Sequence, residues 1–313
     1  MIVEVTDVQK NKVDSIYHGP SLSSLSRQPL ILQLDSNGKR EYPAIAMKTN
    51  NIENQTKIGF SDPVEAITNI PRPVVAMAKD FPNGHLIPFH HHARSQLLYA
   101  SSGVMTVTTA NGMWVVPPLR AVWIPALVEH QISCSGRLSM RTLYIKPEVA
   151  PNAPRACCVV SVPPVLRELI LYATTLPHLY KPKSPEDRIM NVILDLIQTL
   201  KVAPLDLPIP RDGRLQKIFG GLTDNPSDTS TLEDWGKTVG AASRTLARLF
   251  RSETGMSFTQ WRQQVRILEG LRRLAREEPV TTVALELGYD SPSAFIAMFR
   301  KALGRTPGQY FKT

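Results

Sequence analysis

The sequence predicts an α+β protein of two domains, an N-terminal β-barrel (all-β) followed by an all-α domain. Two patterns support this fold class. Short β-type runs, broken by glycine and proline, fill residues 71–146, which is typical of a small barrel or sandwich. After them the apolar residues repeat with helical spacing, and the C-terminal part of the chain carries one sequence frame twice. The 313 residues are long enough for two hydrophobic cores.

Four segments follow from these patterns. Residues 1–70 are polar without sustained periodicity, and we interpret them as an N-terminal extension that is a candidate for disorder. Residues 71–150 form the predicted barrel, and residues 151–210 form a helix pair that ends in a stiff Pro-rich linker. Residues 211–313 are predicted to be helical to the end.

The predicted barrel strands are short and regularly interrupted. Val104–Thr109 carries β-branched residues in a roughly alternating pattern, Asn111-Gly112 indicates a hairpin turn, and Trp114–Val116 resumes the strand. Further short runs follow at Ala121–Ile124 and Arg141–Ile145.

The helix pair carries two apolar stripes. The first includes Leu166 and Ile170, and the second includes Ile193 and Ile197 after a start marked by Ser184 as the capping residue. The stripes could pack against a second subunit or cover the barrel, and the sequence leaves both arrangements open.

The repeated frame reads F-R-x-x-x-G-x-[ST]-x-x-Q-[WY], and each copy includes an amphipathic helix that follows a turn glycine. An apolar face opposite a basic face, after a tight turn, is typical of a helix-turn-helix unit. The two copies therefore predict a tandem DNA reader. The frame residues are Phe250, Arg251, Gly255, Ser257, Gln260 and Trp261 in the first copy, and Phe299, Arg300, Gly304, Thr306, Gln309 and Tyr310 in the second.

The apolar spacing of each copy leaves an outer face for DNA. Arginine on a rigid helix suits bidentate contact with guanine O6 and N7, whereas the second face offers a hydroxyl and apolar groups, with phosphate contacts expected from its basic residues. An arginine-rich helix from Phe258 to about Ala275 joins the units and can hold them one duplex turn, roughly 34 Å, apart. The predicted DNA-binding residues are Ser243, Arg244, Ala247, Arg248 and Arg251 in the first unit, and Ser291, Ser293, Ile296, Ala297, Arg300 and Lys301 in the second.

From about Arg211 to the end, these motifs resemble the double helix-turn-helix domain of the AraC/XylS family of bacterial transcription regulators. The resemblance implies that the outer faces of both recognition helices read promoter DNA. The chain departs from the family pattern at Ala242, where a serine is usual, and at Ala297, where an arginine is common. We therefore expect Ser243 to cap the first recognition helix one residue late.

Three histidines mark a candidate ligand site in the barrel. His90 and His92 are two residues apart, so on a strand they project from one face, and His130 belongs to a later strand. Imidazoles grouped in this way are good ligands for a borderline metal ion. Together with Gln96 and Gly103 they resemble the cupin barrel, in which a glutamate usually stands at the position of Gln96. The surrounding run resembles the cupin-type sensor domains of one AraC subgroup.

Three interpretations of this barrel are open. The first is a pocket for a small effector, lined by His90, His92, Gln96, Trp123 and His130. The second is a divalent metal ion on the three histidines, either structural or part of sensing. The third is a barrel without a ligand, in which backbone carbonyls satisfy the histidines. His91 is expected to face the opposite side.

Composition narrows the class of protein. The net charge of +9 favours a polyanionic partner, and three cysteines without a C-x-x-C spacing fit a reducing compartment. No apolar run is long enough to span a bilayer, so we expect a cytoplasmic protein without membrane contact.

Together these features predict a bacterial transcription regulator that responds to a small-molecule effector, and not an enzyme. The expected partners are double-stranded promoter DNA, the effector, a second copy in a homodimer, and RNA polymerase. No cofactor is expected apart from the candidate metal ion. The alternatives are a cupin metalloenzyme of the dioxygenase or isomerase type with an accessory basic helical domain, and an architectural DNA-binding protein without an effector.

Overall fold

A computed structural model describes residues 33–34, 40–41 and 67–311. Most of the predicted extension at residues 1–70 therefore lies outside the described residues.

The chain divides into two compact units, Met1–Glu53 and Asn54–Thr313. In the first unit, the described residues form one antiparallel strand pair, β1 (Gln33–Leu34) with β2 (Arg40–Glu41). The second unit contains the predicted barrel and the predicted helical domain.

One nine-stranded antiparallel sheet forms the N-terminal part of the second unit. Its order along one path is β10-β9-β7-β5-β6-β11, and β8 pairs with β3, β4 and β5. The strands are β3 (Val74–Phe81), β4 (Leu86–His90), β5 (Ser95–Thr109), β6 (Gly112–Val116), β7 (Arg120–Ile124), β8 (His130–Ile145), β9 (Cys158–Ser161), β10 (Val202–Ala203) and β11 (Asp206–Pro208).

The long strands β5 and β8 pair over most of their length, and the register shifts twice between Ala100 and Val104. Because side chains alternate across a strand, Leu98 and Ile124 enter one core cluster while Leu97 and Trp123 enter another on the opposite face. The sheet is not closed, but this is the sheet-rich, cupin-like domain that the sequence predicted, and the fold class is confirmed.

The hairpin between β5 and β6 turns one residue earlier than predicted. Gly112 already pairs with Thr109, so the turn residues are Ala110 and Asn111. The Asn111 N–H donates to Thr109 Oγ1 at 3.1 Å, which stabilises this turn by a local side-chain bond.

Two helices, α1 (Pro164–Ala173) and α2 (Pro185–Ile197), cover one face of the sheet. A short 3₁₀ turn at Pro147–Val149 precedes them. Their buried stripes, including Ile170 and Ile193, pack in the cluster that contains Leu97. The structure thus answers the question that the sequence left open, because the stripes are buried against the sheet. Ser184 caps α2 as predicted and accepts a hydrogen bond from the Asp187 N–H.

The Pro-rich segment after α2 is extended, as its prolines favour, and it is built into the sheet. β10 pairs with β9 at one end of the strand path, and β11 pairs with β6 at the other end. The connection to the helical domain is therefore anchored by backbone hydrogen bonds to the nine-stranded sheet.

Seven helices form the C-terminal part, with α6 at its centre. Trp261, Val265, Leu268 and Leu271 of α6 are buried in a core cluster that continues into the sheet. The helices are α3 (Gly213–Asp224), α4 (Leu232–Val239), α5 (Ser243–Thr254), α6 (Phe258–Ala275), α7 (Val280–Glu286), α8 (Pro292–Leu303) and α9 (Pro307–Tyr310).

Candidate functional site

The first helix-turn-helix unit consists of α4, a turn and α5. A capping box between Thr231 and Asp234 begins α4, as predicted, and Gly240 ends it in the left-handed conformation. On α5, Leu246 and Phe250 are buried. The five predicted DNA-binding residues on this helix, Ser243, Arg244, Ala247, Arg248 and Arg251, are all exposed on its other faces.

The exposed arginines of α5 are available for a ligand. Within the described part of the chain, the guanidinium groups of Arg244 and Arg248 form no hydrogen bond or ion pair with another residue. The two lie one helical turn apart, so their guanidinium groups leave the same face of α5.

The second unit, α7 and α8, presents a different surface. Phe295 and Phe299 are buried, and Ser293, Ala297, Arg300 and Lys301 are exposed. Two further predicted DNA-binding residues, Ser291 and Ile296, are half-buried.

The repeated frame forms the same core contact, the same helix end and the same capping box in both units. Its phenylalanine and its final aromatic residue pack together, with ring centroids 5.9 Å apart for Phe250 and Trp261 and 5.6 Å apart for Phe299 and Tyr310. Its glycine ends each recognition helix with a positive φ, 72° at Gly255 and 80° at Gly304. Its [ST]-x-x-Q part forms a capping box at the start of α6 and of α9.

The starts of the two recognition helices differ. Ser291 caps α8 by accepting a hydrogen bond from the Ala294 N–H at 3.2 Å. In α5 the capping position is held by Ala242, and no side chain caps the helix. The expected late cap by Ser243 is therefore wrong, because Ser243 is already the first helical residue.

The central arginines of α6 are part of the scaffold. Arg266 donates to the backbone carbonyls of Pro226 and Gly288, at 2.9 and 3.3 Å, and so ties the segment before α4 to the turn between α7 and α8. Arg262 donates to the Ser230 carbonyl at 3.1 Å and lies over the Phe258 ring. Burial lowers the pKa of the Arg266 guanidinium.

The three predicted histidines converge at one end of the sheet. One ring nitrogen from each of His90, His92 and His130 lies within 4.8 Å of the other two. His90 ends β4 and pairs directly with His130 on β8, whereas His92 lies two residues beyond the end of β4 and still enters the cluster. His130 is fully buried, His92 is 5% exposed, and His90 is half-buried. His91 is exposed.

Backbone carbonyls fix the orientation of all three rings. The Nδ1 atoms of His90, His92 and His130 lie 2.9, 2.5 and 2.8 Å from the carbonyl oxygens of Pro88, Arg94 and Val128. Since a carbonyl can only accept, each Nδ1 carries the proton and each Nε2 keeps a lone pair. The Nε2 atom of His130 is buried and has no hydrogen-bond partner.

Two acceptor atoms face each other inside this cluster. The Nε2 atom of His92 lies 3.2 Å from Oε1 of Gln96, which is itself 1% exposed. A neutral imidazole that donates through Nδ1 cannot also donate through Nε2. The pair is satisfied only if the amide turns its NH₂ toward the ring or if a cation lies between them.

Two of the histidines, His92 and His130, are held in their neutral form. Burial lowers the pKa of His130 to about 4, and burial also lowers the pKa of His92. No carboxylate is among the groups that shift either pKa. At neutral pH His92 and His130 are therefore uncharged and can act as nitrogen ligands.

Trp123 does not belong to this cluster. It pairs with Leu97 on β5 and faces the side of the sheet that α1 and α2 cover, and its Nε1–H donates to the Pro154 carbonyl at 2.8 Å. Instead, Tyr144 packs edge-on against His92 with ring centroids 5.2 Å apart. Tyr144 could not be predicted from the sequence, since it lies fourteen residues after His130 on the same strand, in an apolar run.

Comparisons with known proteins agree with both halves of this description. The model of the AraC-like ligand binding domain matches residues 74–200, and that of a helix-turn-helix domain matches residues 235–313. The HTH-type transcriptional regulator NimR of Escherichia coli K12 is 36% identical over 223 residues, which cover 71% of this chain and 81% of NimR. The chain belongs to the AraC family of transcriptional regulators.

Other AraC-family relatives and solved structures cover smaller parts or are more distant. The HTH-type transcriptional regulator RipA of Corynebacterium glutamicum is 33% identical over 36% of this chain and 33% of its own length. ToxT from Vibrio cholerae is 12% identical over 76% of this chain and 97% of its own, with a TM-score of 0.34. The DNA-binding domain of AdpA, solved with a target DNA, is 29% identical over 32% of this chain and 91% of its own, with a TM-score of 0.30.

Membership of the AraC family confirms the predicted class, a DNA-binding transcriptional regulator with a ligand-binding domain. Among the described helices, none is both long and apolar enough to cross a membrane.

Proposed function

We propose that this AraC-family regulator reads promoter DNA chiefly through α5. The observation that carries the proposal is the pair of exposed, unpaired guanidinium groups of Arg244 and Arg248 on a helix whose opposite face is core. A guanidinium fork matches O6 and N7 of guanine in the major groove, and each good bidentate pair discriminates by about 1–3 kcal/mol.

The second unit is proposed to add phosphate contacts and weak selectivity. Arg300 and Lys301 lie in the last turn of α8, and the residues aligned with the two arginines of α5 are Ser293 and Ala297. The eighteen residues of α6 give it a length of about 27 Å. A rigid connector of this size is suited to hold two recognition helices in successive major grooves, roughly 34 Å apart.

Fluorescence anisotropy tests the proposal. Duplexes covering the DNA that flanks the protein's own gene are compared with shuffled duplexes at several salt concentrations. A preference of about a thousandfold that persists near physiological salt is expected for a specific regulator. Weak binding that ignores sequence and vanishes with salt would contradict specific readout.

We also propose that the histidine cluster is the sensing site and that it holds a divalent metal ion. The residues fit such an ion in three respects: three buried or half-buried imidazoles, Nδ1 atoms tied to carbonyls, and one ring nitrogen of each histidine within 4.8 Å of the other two. Neighbouring ligand atoms around one ion are about 3.0–3.4 Å apart when each bond is about 2.1 Å, which matches the 3.2 Å between His92 Nε2 and Gln96 Oε1. When bound, the ion would supply a positive charge and an open coordination position for a small effector.

Titration with Co²⁺ tests this part of the proposal independently of DNA. We expect a d–d absorption band at one ion per chain in the wild type and a loss of the band in His130→Ala. His91→Ala is the matched control, because His91 is a neighbouring but exposed histidine. If all three proteins titrate alike, the cluster holds no metal ion and the effector pocket without a metal remains the better account.

We propose that the protein acts as a regulator without catalytic turnover. The observation that favours this is Gln96, because it leaves the cluster without a carboxylate ligand. Non-haem iron sites that activate oxygen typically combine two histidines with one carboxylate. Steady oxygen consumption by the iron-loaded protein, abolished in His130→Ala, would favour the metalloenzyme alternative.

A homodimer is the proposed assembly on DNA, with RNA polymerase as a further partner at the promoter. α1 and α2 bury one face against the sheet but leave Val165, Tyr172 and Val192 exposed, together with Leu179 in the loop between them. Exposed apolar residues grouped in this way are typical of an interface. Light scattering should give the mass of two chains for the wild type and of one chain for Tyr172→Glu.

A further inference from the structure

The connecting helix α6 contacts the nine-stranded sheet, which carries the proposed sensing site, in its middle and at its C-terminal end. At its C-terminal end, Arg272 Nε donates to Thr106 Oγ1 of β5 at 3.0 Å, and its Nη2 contacts Met113 Sδ of β6. In its middle, Gln264 Nε2 donates to the carbonyl oxygens of Pro204 and Asp206, at 2.7 and 3.2 Å. One helix therefore joins both helix-turn-helix units to the sensor.

A close backbone contact strengthens this interface. Gly136 lies within β8 with φ 73°, and a Cβ atom on it would come within 2.1 Å of the Ala275 carbonyl oxygen. Only a residue without a side chain allows the last turn of α6 to approach β8 so closely. The contact between β8 and α6 therefore requires glycine at position 136.

The same strand carries His130, one of the three histidines of the cluster. His130 begins β8 and Gly136 lies six residues later, about 20 Å along an extended strand. Ser133 lies between them and pairs with Thr106, the acceptor of Arg272. A shift of His130 along or across the sheet therefore reaches both contacts with α6 through one hydrogen-bonded ladder.

We propose that this interface is the coupling joint of the regulator: β8 carries the state of the histidine cluster to the last turn of α6, and α6 resets the relative placement of α5 and α8. The inference rests on the proposed function of the cluster as a sensing site. A ligand drives such a change only through different affinities for two states. Packed interfaces respond by switching between discrete arrangements, and a switch in α6 acts on both reading helices at once.

The chemistry of Arg272 suits a contact that opens and closes. Its Nη1 also donates to Glu269 Oε2 at 3.1 Å, within α6 itself. When the contact with the sheet opens, the guanidinium keeps this partner and no buried charge is left unpaired. Separation then exposes Thr106 Oγ1 to water, which costs little compared with breaking a buried ion pair.

The chain supplies matched controls for both sides of the joint. Arg276 follows α6 directly and also pairs with Glu269, at 3.6 Å, but its other partner is Glu278 and not the sheet. Thr108 lies two residues from Thr106 on β5 and is half-buried. Arg272→Ala and Thr106→Val remove the hydrogen bond between α6 and β5 in the joint, while Arg276→Ala and Thr108→Val make the same chemical changes beside it.

The test measures the ratio of DNA dissociation constants with and without Zn²⁺, after Zn²⁺ binding to each variant has been confirmed by calorimetry. We expect Zn²⁺ to change the DNA affinity of the wild type and both controls by at least about fivefold. In Arg272→Ala and Thr106→Val the ratio should fall to about one although Zn²⁺ still binds. A wild-type ratio of one with Zn²⁺ bound, or an unchanged ratio in both joint variants, would overturn the proposal.

If Zn²⁺ does not bind the wild type, the metal part of the proposed function fails, and the joint is tested by perturbing the cluster directly. His130→Ala should then change DNA affinity in the wild-type background and have no effect in the Arg272→Ala background. Equal effects in the two backgrounds would show that the cluster does not act through this joint.

Discussion

The two helix-turn-helix units have nearly the same scaffold and present different surfaces to DNA. In both, a phenylalanine and a second aromatic residue pack in the core, a left-handed glycine ends the recognition helix, and a capping box begins the next one. On the outside, Arg244 and Arg248 of the first unit face solvent, and the corresponding residues of the second unit are Ser293 and Ala297.

This difference shows which sequence positions the fold constrains. Core packing and helix ends admit few residue types, so the repeated frame survives in both copies. Substitutions at exposed positions change the free energy of unfolding little, so these positions can differ between the two units and give them different functions. The second unit can therefore carry Ser293 and Ala297 in place of the arginines and keep the same scaffold.

The largest change in free energy is expected when the phenylalanine of the repeated frame is truncated in either unit. Phe250 and Phe299 are 1% and 0% exposed, and truncation of a buried phenylalanine costs about 3–5 kcal/mol. Phe250→Ala and Phe299→Ala should therefore lower the free energy of unfolding by similar amounts, measured by urea denaturation. A loss confined to one variant would show that the two scaffolds are not equivalent.

The next largest effect is expected on DNA binding, from substitution of the exposed arginines of α5. Arg244→Ala and Arg248→Ala should each weaken binding to a cognate duplex by about 1–3 kcal/mol and relax its base preference, because a bidentate contact is lost. Anisotropy on cognate and shuffled duplexes measures both quantities. Equal losses on the two duplexes would mean that these arginines contact phosphates.

A smaller effect concerns the helix starts. Ala242→Ser gives α5 the cap that α8 already has and should stabilise the protein by about 1 kcal/mol, whereas Ser291→Ala should destabilise it by a similar amount. Urea midpoints measure both changes. If Ala242→Ser has no effect while Ser291→Ala destabilises, another group already satisfies the start of α5.

The smallest change in DNA affinity is expected from substitution of Arg300. Arg300→Ala should weaken binding to every duplex alike and reduce the slope of log affinity against log salt by about one unit, because one phosphate contact is lost. Binding measured from low to moderate salt gives the slope. A change in base preference instead would place Arg300 among the base-reading residues.

Local signals made the helical domain predictable. Capping boxes, turn glycines and apolar spacing act within a few residues of the chain, so both units and the cap of α2 could be located from the sequence. The sequence also predicted the convergence of His90, His92 and His130, although the premise that His90 and His92 share a strand was wrong, because β4 ends at His90.

Long-range packing was not predictable in the same way. The side of the sheet that Trp123 faces depends on the pairing of β7 with β5, and the carbonyl partners of Arg266 come from turns distant in sequence. The contact between Arg272 and Thr106 joins positions 166 residues apart. No periodicity or motif within one segment reports such contacts.

Unequal DNA reading by the two units can be measured by selection from a pool of randomised duplexes with the wild-type protein. We expect enriched sequences with one strongly specified block and, about one helical turn away, a second block with only weak preference. Repeating the selection with Arg244→Ala should relax the strong block. Two equally specified blocks, or a strong block that Arg244→Ala leaves intact, would show that α5 is not the main reading helix.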